Sequence, residues 1–269
     1  MSNDLILTAD VGNTRVKFGV FEAAASVRGG ALPTSLALWT APVGGEIDWH
    51  AVTGRFEPWQ ARIARALVAG VNPCGIEQLL SGWPQPVWPD AMTIERAADL
   101  PLAVNLERPD WVGIDRLLDA VAANVLRAPG EAAIVIDAGT ATTVDLVSAD
   151  GFFEGGAILP GLELGARALH QYTALLPLID VPELLEGPKV ASLGKNTPEA
   201  IRSGLLYGQI GAIRELAARL ADNIPEEPLL LVTGGNGRFL AATLGDPYRF
   251  EPDLALRALA WVAQHSRSE

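Results

Sequence analysis

An apolar strand that ends in Asp-x-Gly occurs twice in this chain, and the repeat limits the possible folds more than any other feature. The first copy is Leu5–Thr14 and the second is Ala133–Thr140. Alternating polar and apolar residues follow each copy, at Arg15–Phe21 and at Thr142–Val147. Each copy therefore predicts a β-hairpin with a turn rich in Gly, Asn and Thr. Two similar hairpins predict two similar halves that face one ligand.

The residues of the two turns indicate a phosphate ligand accompanied by a cation. Turns of this kind direct backbone N–H groups and small hydroxyls outward, which favours the binding of phosphate oxygens. The carboxylates of Asp10 and Asp137 would repel phosphate, and their natural use is to hold a cation or a metal-bound water. A single turn of this type is equally typical of an ordinary hairpin. The repetition is what favours a nucleotide with a metal ion.

Composition excludes several other classes of function. The chain has 269 residues and a net charge of −12, which opposes sequence-independent binding to nucleic acid or to an anionic membrane. Its one cysteine, Cys74, excludes an internal disulfide and a cysteine-based zinc site, and three histidines without a close pair argue against a histidine site. No apolar run approaches the ~20 residues of a membrane span. We expect a cytoplasmic protein with no nucleic-acid or membrane partner.

Helical and extended patterns alternate along the chain and predict an α/β fold. The segment 81–89 is irregular because it contains three prolines, and its tryptophans are expected in the core. We predict strands at 36–40, 151–158 and 229–233, and helices at 59–68, 114–128, 162–176, 199–220 and 254–264. Two domains are expected, at 1–115 and 116–269. This boundary is approximate, and the sequence is also compatible with a final helix that packs on the first domain.

Further motifs carry a resemblance to known proteins. The two turns, followed late in the chain by Thr233–Gly237, match the three-part nucleotide site of the acetate/sugar kinase, Hsp70 and actin superfamily. Gly113-Ile114-Asp115-Arg116 resembles the Gly-x-Asp-Arg signature of type III pantothenate kinases, and further blocks similar to that family follow in its order, at 137–145, 155–161, 195–197 and 203–208. The resemblance implies a two-domain actin-like ATPase (ribonuclease H-like) fold with duplicated mixed sheets. It implies ATP-dependent phosphorylation of pantothenate to 4′-phosphopantothenate, the first step of coenzyme A biosynthesis.

Asp115 and Arg116 fit the chemistry of phosphoryl transfer to an alcohol. That reaction needs a proton acceptor near the hydroxyl and positive charge near the transferred group, and both residues stand at the start of a predicted helix, where an anion is also favoured. From spacing alone, Asp115 equally fits an acid stabilised by the helix dipole and Arg116 a surface residue. The resemblance implies that Asp115 is the general base and that Gly113, Ile114, Asp115 and Arg116 bind pantothenate.

The resemblance also implies the ATP and cation sites. Asp10 is expected to organise the magnesium of MgATP through water, and Asp137 to bind a monovalent cation, K⁺ or NH₄⁺. Thr197 corresponds to a threonine that contacts pantothenate, and family members are homodimers. The residues expected to border ATP are Asp10, Val11, Gly12, Asn13, Thr14, Arg15, Val16, Lys17 and Thr140. Lys17 is also explained as a solvated strand residue.

One position departs from the family pattern. The family usually carries a tyrosine nine residues before the catalytic aspartate, in Tyr-x-x-Pro, and this chain has Leu106 there while it retains Pro109. A leucine preserves apolar packing against pantothenate but loses a hydroxyl hydrogen bond of roughly 0.5–1.5 kcal/mol. Two other functions stay open at this point: a non-catalytic accessory or regulatory protein that kept the fold, and a kinase of the same superfamily that acts on another small molecule.

Overall fold

The computed structural model describes residues 4–23, 31–222 and 224–265, which form two compact units. The first unit contains the described residues up to Pro129, Gly151–Phe153 and the described residues from Asp253 onward; the second contains Gly130–Asp150 and Glu154–Pro252. The approximate boundary after Asp115 thus falls inside the first unit, to which the final helix also belongs.

The secondary structure alternates strands and helices over most of the chain. In chain order the elements are β1 (Leu5–Val11), β2 (Arg15–Glu22), β3 (Ser35–Pro42), α1 (Trp49–Gln60), β4 (Ile63–Gly70), α2 (Pro73–Ser81), β5 (Ala91–Ile94), β6 (Ala103–Val104), α3 (Ile114–Leu126), β7 (Ala133–Ala138), β8 (Ala141–Val147), β9 (Phe152–Pro160), α4 (Leu162–Gln171), α5 (Val181–Glu186), α6 (Thr197–Ala221), β10 (Leu229–Thr233), α7 (Gly237–Leu244), β11 (Arg249–Phe250) and α8 (Leu254–His265). Two one-turn 3₁₀ helices lie at Ala97–Asp99 and Pro109–Trp111.

The first unit is built on a mixed sheet with the strand order β3-β2-β1-β4-β5. The first three strands are antiparallel, and β4 and β5 run parallel to β1. Alternate residues of β1 enter an apolar cluster together with Phe18, Phe56 and Trp88, while α3 and α8 pack on the unit's sheet and on each other. Trp83 and Trp88 are buried, which confirms that the tryptophans of the irregular segment 81–89 are core residues.

The predicted helix at 59–68 is wrong. Helix α1 ends at Gln60, and the strand β4 begins at Ile63. This strand lies between β1 and β5 in the sheet, and its consecutive residues 66–69 are all buried, so its sequence does not alternate there. An alanine-rich apolar run of this length cannot be assigned to a helix or to a buried strand from periodicity alone.

The second unit repeats the plan with a second mixed sheet. Its strands follow the order β11-β10-β7-β8-β9, and β6 pairs with Phe152 and Phe153 at the beginning of β9. The hairpin β7–β8 is antiparallel, whereas β10 runs parallel to β7. Apolar residues of these strands pack against α6 and α7. The helix predicted at 162–176 ends at Gln171. The two mixed sheets confirm the predicted α/β class with duplicated mixed sheets.

A membrane-spanning helix is not found. Within residues 4–23, 31–222 and 224–265, every helix is too short or too polar to cross a bilayer.

Candidate active site

Both Asp-x-Gly motifs form the hairpin turns that the sequence predicts. In the first, Asp10 stands opposite Lys17, and the Gly12 N–H donates to the Arg15 carbonyl at 3.0 Å. In the second, Asp137 stands opposite Thr143, and the Gly139 N–H donates to a carbonyl two residues further on, also at 3.0 Å. The second turn is one residue shorter, so the two copies share the position of the aspartate but not the length of the turn.

The end of the first hairpin lies beside the start of α3. The Val71 N–H donates to the Val11 carbonyl at 3.0 Å, which ties the residue after β4 to the end of β1. A Cβ on Gly113 would lie 3.1 Å from Cγ1 of Val71 and 2.6 Å from Oδ1 of Asp115. Glycine is therefore needed at 113, because any side chain would displace the Asp115 carboxylate. The fold therefore brings Asp115 close to the carboxyl end of β1, where Asp10 lies.

The electrostatic environment of Asp115 suits a proton acceptor. Burial raises the pKa of the Asp115 carboxyl above its ordinary value, while the Arg116 backbone N–H, the Arg116 charge and the Lys17 charge act in the opposite direction. The Arg116 N–H donates to Oδ1 of Asp115 at 2.8 Å. Because a carboxylate with a raised pKa is a stronger base, the arrangement favours proton transfer from a bound hydroxyl. Asp10, Lys17, Asp115 and Arg116 form one group in the first unit.

The segment before α3 is tied to the beginning of β9, near Arg116. Leu106 is half-buried, and the Asn105 N–H donates to the Phe153 carbonyl at 2.9 Å. The Arg116 guanidinium lies 5.6 Å from the centre of the Phe153 ring. Pairing of Asn105 with β9 therefore fixes the backbone beside Leu106.

Arg108 and Trp111, in the same segment, form a pair that sequence reasoning did not single out. The Arg108 guanidinium stacks on the Trp111 ring at 4.3 Å from its centre, and Trp111 is 78% exposed. The sequence offered one signal. Trp111 stands four residues before Asp115 in a segment without apolar periodicity, so the pattern gives no reason to place this tryptophan in the core.

In the second unit, two loops converge on the turn after β7. Gly234 has φ +90°, and a Cβ there would lie 2.3 Å from Oδ1 of Asp137, so only glycine fits. The Asn236 N–H donates to the Ala138 carbonyl at 3.0 Å, and the Gly161 N–H donates to the Thr140 carbonyl at 3.1 Å. The late glycine turn is thus packed against the second hairpin, and Thr140 is exposed at this junction.

Thr197 lies elsewhere in the second unit, at the first position of α6. Asn196 caps this helix by accepting a hydrogen bond from the Glu199 N–H at 2.9 Å. Thr197 lines a groove of about 680 Å³ whose other walls include Leu169, Ile201 and Leu205. The groove is mostly apolar with polar groups near the start of the helix, a composition typical of a small-molecule or subunit contact.

The residues present fit a nucleotide that carries its own metal ion. Within the described ranges, no three Asp, Glu, His or Cys side chains are grouped closely enough to hold a metal ion by themselves. Mg²⁺ that arrives with ATP takes most of its ligands from phosphates and water, so one carboxylate such as that of Asp10 is sufficient. The exposed backbone of the two glycine turns supplies room for phosphate oxygens.

Comparison with solved structures identifies the fold. The chain is similar to a glucokinase from an Antarctic psychrotroph, with a TM-score of 0.53 and 12% identity over 97% of this chain and 99% of that chain. It is also similar to component A of the (R)-2-hydroxyglutaryl-CoA dehydratase of Acidaminococcus fermentans, with a TM-score of 0.51 and 16% identity over 98% and 97% of the two chains. At these identities the likeness shows the fold alone, and that fold is the actin-like ATPase fold.

Comparison of sequences identifies the family. The type III pantothenate kinase profile matches residues 6–219. A type III pantothenate kinase of Alkalilimnicola ehrlichii is 34% identical over 262 residues, 97% of this chain and 98% of its own length. One from Rhodospirillum rubrum is 34% identical over 268 residues, 98% and 99% of the two chains. With the Gly-x-Asp-Arg motif at the head of α3 and both glycine turns in place, the chain belongs to the type III pantothenate kinase family.

Proposed function

We propose that this protein phosphorylates the terminal hydroxyl of pantothenate with MgATP and so produces 4′-phosphopantothenate for coenzyme A biosynthesis. The observation that carries the proposal is the Asp115 carboxylate, which burial makes more basic and which Arg116 and Lys17 surround with positive charge. Membership of the kinase family supports ATP and a divalent metal as requirements.

The reaction assigns a distinct task to each group. The Asp115 carboxylate takes the proton of the substrate hydroxyl while that oxygen bonds to the γ-phosphorus and the bond to the ADP oxygen breaks. The Arg116 and Lys17 charges offset the negative charge that gathers around the transferred group. Residues 11–17 of the first hairpin border the phosphates, with the exposed turn residues Asn13 and Thr14 nearest, and the Thr140 hydroxyl holds a phosphate oxygen. Asp10 would hold the magnesium of MgATP through water, and the metal ion would neutralise phosphate charge.

Asp137 is proposed to hold a monovalent cation, K⁺ or NH₄⁺. Its carboxylate stands at the second glycine turn, where Gly234 comes so close that no side chain fits. A carboxylate beside a phosphate repels it unless a cation lies between them. A large, weakly hydrated ion suits this position better than a second Mg²⁺, which demands compact octahedral coordination.

The protein is proposed to act as a cytoplasmic homodimer. Several large apolar side chains on and after α4 are exposed in the second unit: Leu164, Leu169, Tyr172, Leu175, Leu178 and Leu193. Exposed apolar side chains in such number are typical of a protein interface, and a second copy of the chain is the occupant that the family resemblance implies. Thr197, in the groove beside Leu169, would then bind pantothenate at the interface. The single cysteine fits a reducing compartment.

The proposal is tested by measuring ADP release over a panel of hydroxylated substrates, with mass spectrometry of the products. We expect release to depend on pantothenate and the product to be 4′-phosphopantothenate. Turnover of a different alcohol with no turnover of pantothenate would favour another small-molecule kinase. A protein that binds ATP but releases no ADP with any acceptor would be an accessory protein that kept the fold.

A further inference from the structure

The Arg116 side chain packs over the ring of Phe153, at the head of the helix that carries Asp115. The guanidinium carbon lies 5.6 Å from the centre of the ring, within the distance at which an aromatic face attracts a cation. Phe153 is fully buried, with 0% of its surface exposed, so water does not screen the contact on the side of the ring. A cation–π contact is strongest in such a desolvated position.

The position of Arg116 in α3 explains why such a contact is useful. Arg116 is the third residue of this helix, and the N-terminal end of a helix dipole disfavours a positive charge. The electron-rich face of a ring attracts the guanidinium and offsets this cost. A ring, unlike a carboxylate, does so without cancelling the charge of the guanidinium. That charge is what the transfer of a phosphoryl group uses.

The segment that carries Phe153 is fixed to the first unit on both sides of the ring. The Asn105 N–H donates to the Phe153 carbonyl at 2.9 Å, and the Asn124 side-chain amide donates to the Gly151 carbonyl at 2.8 Å. Gly151 has φ +88°, and a Cβ there would lie 3.1 Å from Oδ1 of Asn124, so its backbone packs closely on the end of α3. The ring therefore has a fixed place beside the same helix that carries Arg116.

We infer that Phe153 is a positioning residue, whose ring face holds the Arg116 guanidinium in place for phosphoryl transfer. This inference rests on the proposed function, in which the Arg116 charge offsets the negative charge around the transferred group. Because the Phe153 side chain is wholly buried, it is shielded from substrate and nucleotide. Loss of the ring should therefore affect the reaction only through Arg116.

Fluorination of the Phe153 ring tests the inference with little change in side-chain size. Site-specific incorporation of mono-, di- and trifluorophenylalanine withdraws electron density from the ring face and so weakens its attraction for a cation. We expect the logarithm of kcat/KM for pantothenate to fall stepwise with the number of fluorines. Phe153→Leu, which removes the ring, should lower kcat/KM by about 5- to 30-fold, as for the loss of a desolvated cation–π contact. Phe56 is also fully buried in the first unit, and its fluorination is the matched control, which should leave kcat/KM within about twofold of the wild type.

A double-mutant cycle shows whether the ring acts through Arg116. In the Arg116→Gln background, the further change Phe153→Leu should alter kcat/KM by less than about twofold, because the cation that the ring holds is already gone.

Titration of the Asp115 carboxyl by carbon NMR adds a measurement that needs no turnover. Burial raises the pKa of Asp115, and the Arg116 charge acts in the opposite direction. A guanidinium that is no longer fixed lowers this pKa less. Phe153→Leu should therefore raise the pKa of Asp115 further when Arg116 is present and leave it unchanged in Arg116→Gln.

Three results would overturn the inference: a kcat/KM that does not respond to fluorination of Phe153, an equal effect of Phe153→Leu in both backgrounds of the cycle, and a pKa of Asp115 that does not respond to the ring. If Phe153→Leu does not fold, the fluorinated proteins decide the question by the same kinetics and the same titration. Failure of the proposed function is distinguishable. Wild-type protein that releases no ADP with pantothenate refutes the kinase activity, while the titration of Asp115 in the fluorinated series still decides the role of Phe153.

Discussion

Replacement of Asp115 by Asn separates the catalytic role of this carboxylate from its effect on stability. The amide has nearly the same size and still accepts the hydrogen bond from the Arg116 N–H, which is 2.8 Å long in the wild type. What disappears is the basic oxygen. A lost general base typically costs 10²- to 10⁴-fold in rate, or about 2.7–5.4 kcal/mol of transition-state stabilisation. Because Arg116, Lys17 and both glycine turns remain, we expect kcat to fall by this amount and the KM for ATP to change little.

The same substitution should not destabilise the first unit at neutral pH. Burial raises the pKa of Asp115 in the folded protein, so the folded state binds this proton more tightly than the unfolded state, whose carboxyl titrates near 3.9. The contribution of Asp115 to stability is therefore full below pH ~3.9 and is lost as the pH rises through the folded pKa. Asparagine does not ionise, so the variant does not lose this stability as the pH rises. The melting temperature of Asp115→Asn at pH 7–8 should equal or exceed that of the wild type, and the difference should shrink as the pH is lowered.

Steady-state kinetics and calorimetric melting from pH 5 to 8 test both statements. Wild-type kcat/KM should fall as the pH drops through the raised pKa of Asp115, because protonation removes the base; the variant should lose this dependence. Asp110→Asn is a matched control, since Asp110 is exposed in the same segment, and it should behave as the wild type in rate. Near-wild-type turnover of Asp115→Asn, or unfolding of that variant at neutral pH, would refute the reasoning.

Three other substitutions test the remaining assignments. Gly139→Val should weaken ATP binding measured by calorimetry without preventing folding, because the added Cβ itself meets only the Ala141 carbonyl at 3.5 Å and Asp137 Oδ1 at 3.8 Å; unchanged affinity would remove this turn from the nucleotide site. Asp137→Ala should abolish a saturable activation by K⁺ or NH₄⁺ at constant ionic strength, and equal wild-type rates in sodium and potassium buffers would contradict a cation site. Leu106→Tyr should lower the KM for pantothenate with little change in kcat, whereas a raised KM would show that the wall has repacked around leucine.

The parts of the fold that sequence predicts are those where a local pattern and a turn signal agree. The hairpins at β1–β2 and β7–β8 combine apolar strands with an Asp-x-Gly turn, and α3 combines an apolar stripe with the Pro129-Gly130 stop. Helix α2 also carries a local start signal, since Asn72 accepts a hydrogen bond from the Gly75 N–H at 3.0 Å and a proline follows it.

Other features depend on neighbours that the local sequence does not show. Helix α1 contains Gly54 and Pro58, whose low propensities argue against a helix, and its burial of Val52 and Phe56 overrides them. Strand β4 is an alanine-rich apolar run whose identity is decided by β1 and β5 on either side. The contact of Gly234 with Asp137 joins residues almost a hundred positions apart. Only the family resemblance predicted that these two positions belong to one site.

The two halves of the duplication differ at the position that faces the aspartate. Residues directly opposite in an antiparallel pair lie on the same face with their Cβ atoms about 5 Å apart. Asp10 has Lys17 in that place, and Asp137 has Thr143. Lys17 places a cation opposite the first carboxylate, whereas Thr143 places a neutral hydroxyl opposite the second. If both turns contact one nucleotide, the second carboxylate needs a positive charge from solution. The difference between Lys17 and Thr143 is thus a physical reason to expect magnesium with ATP at the first turn and a monovalent cation at the second.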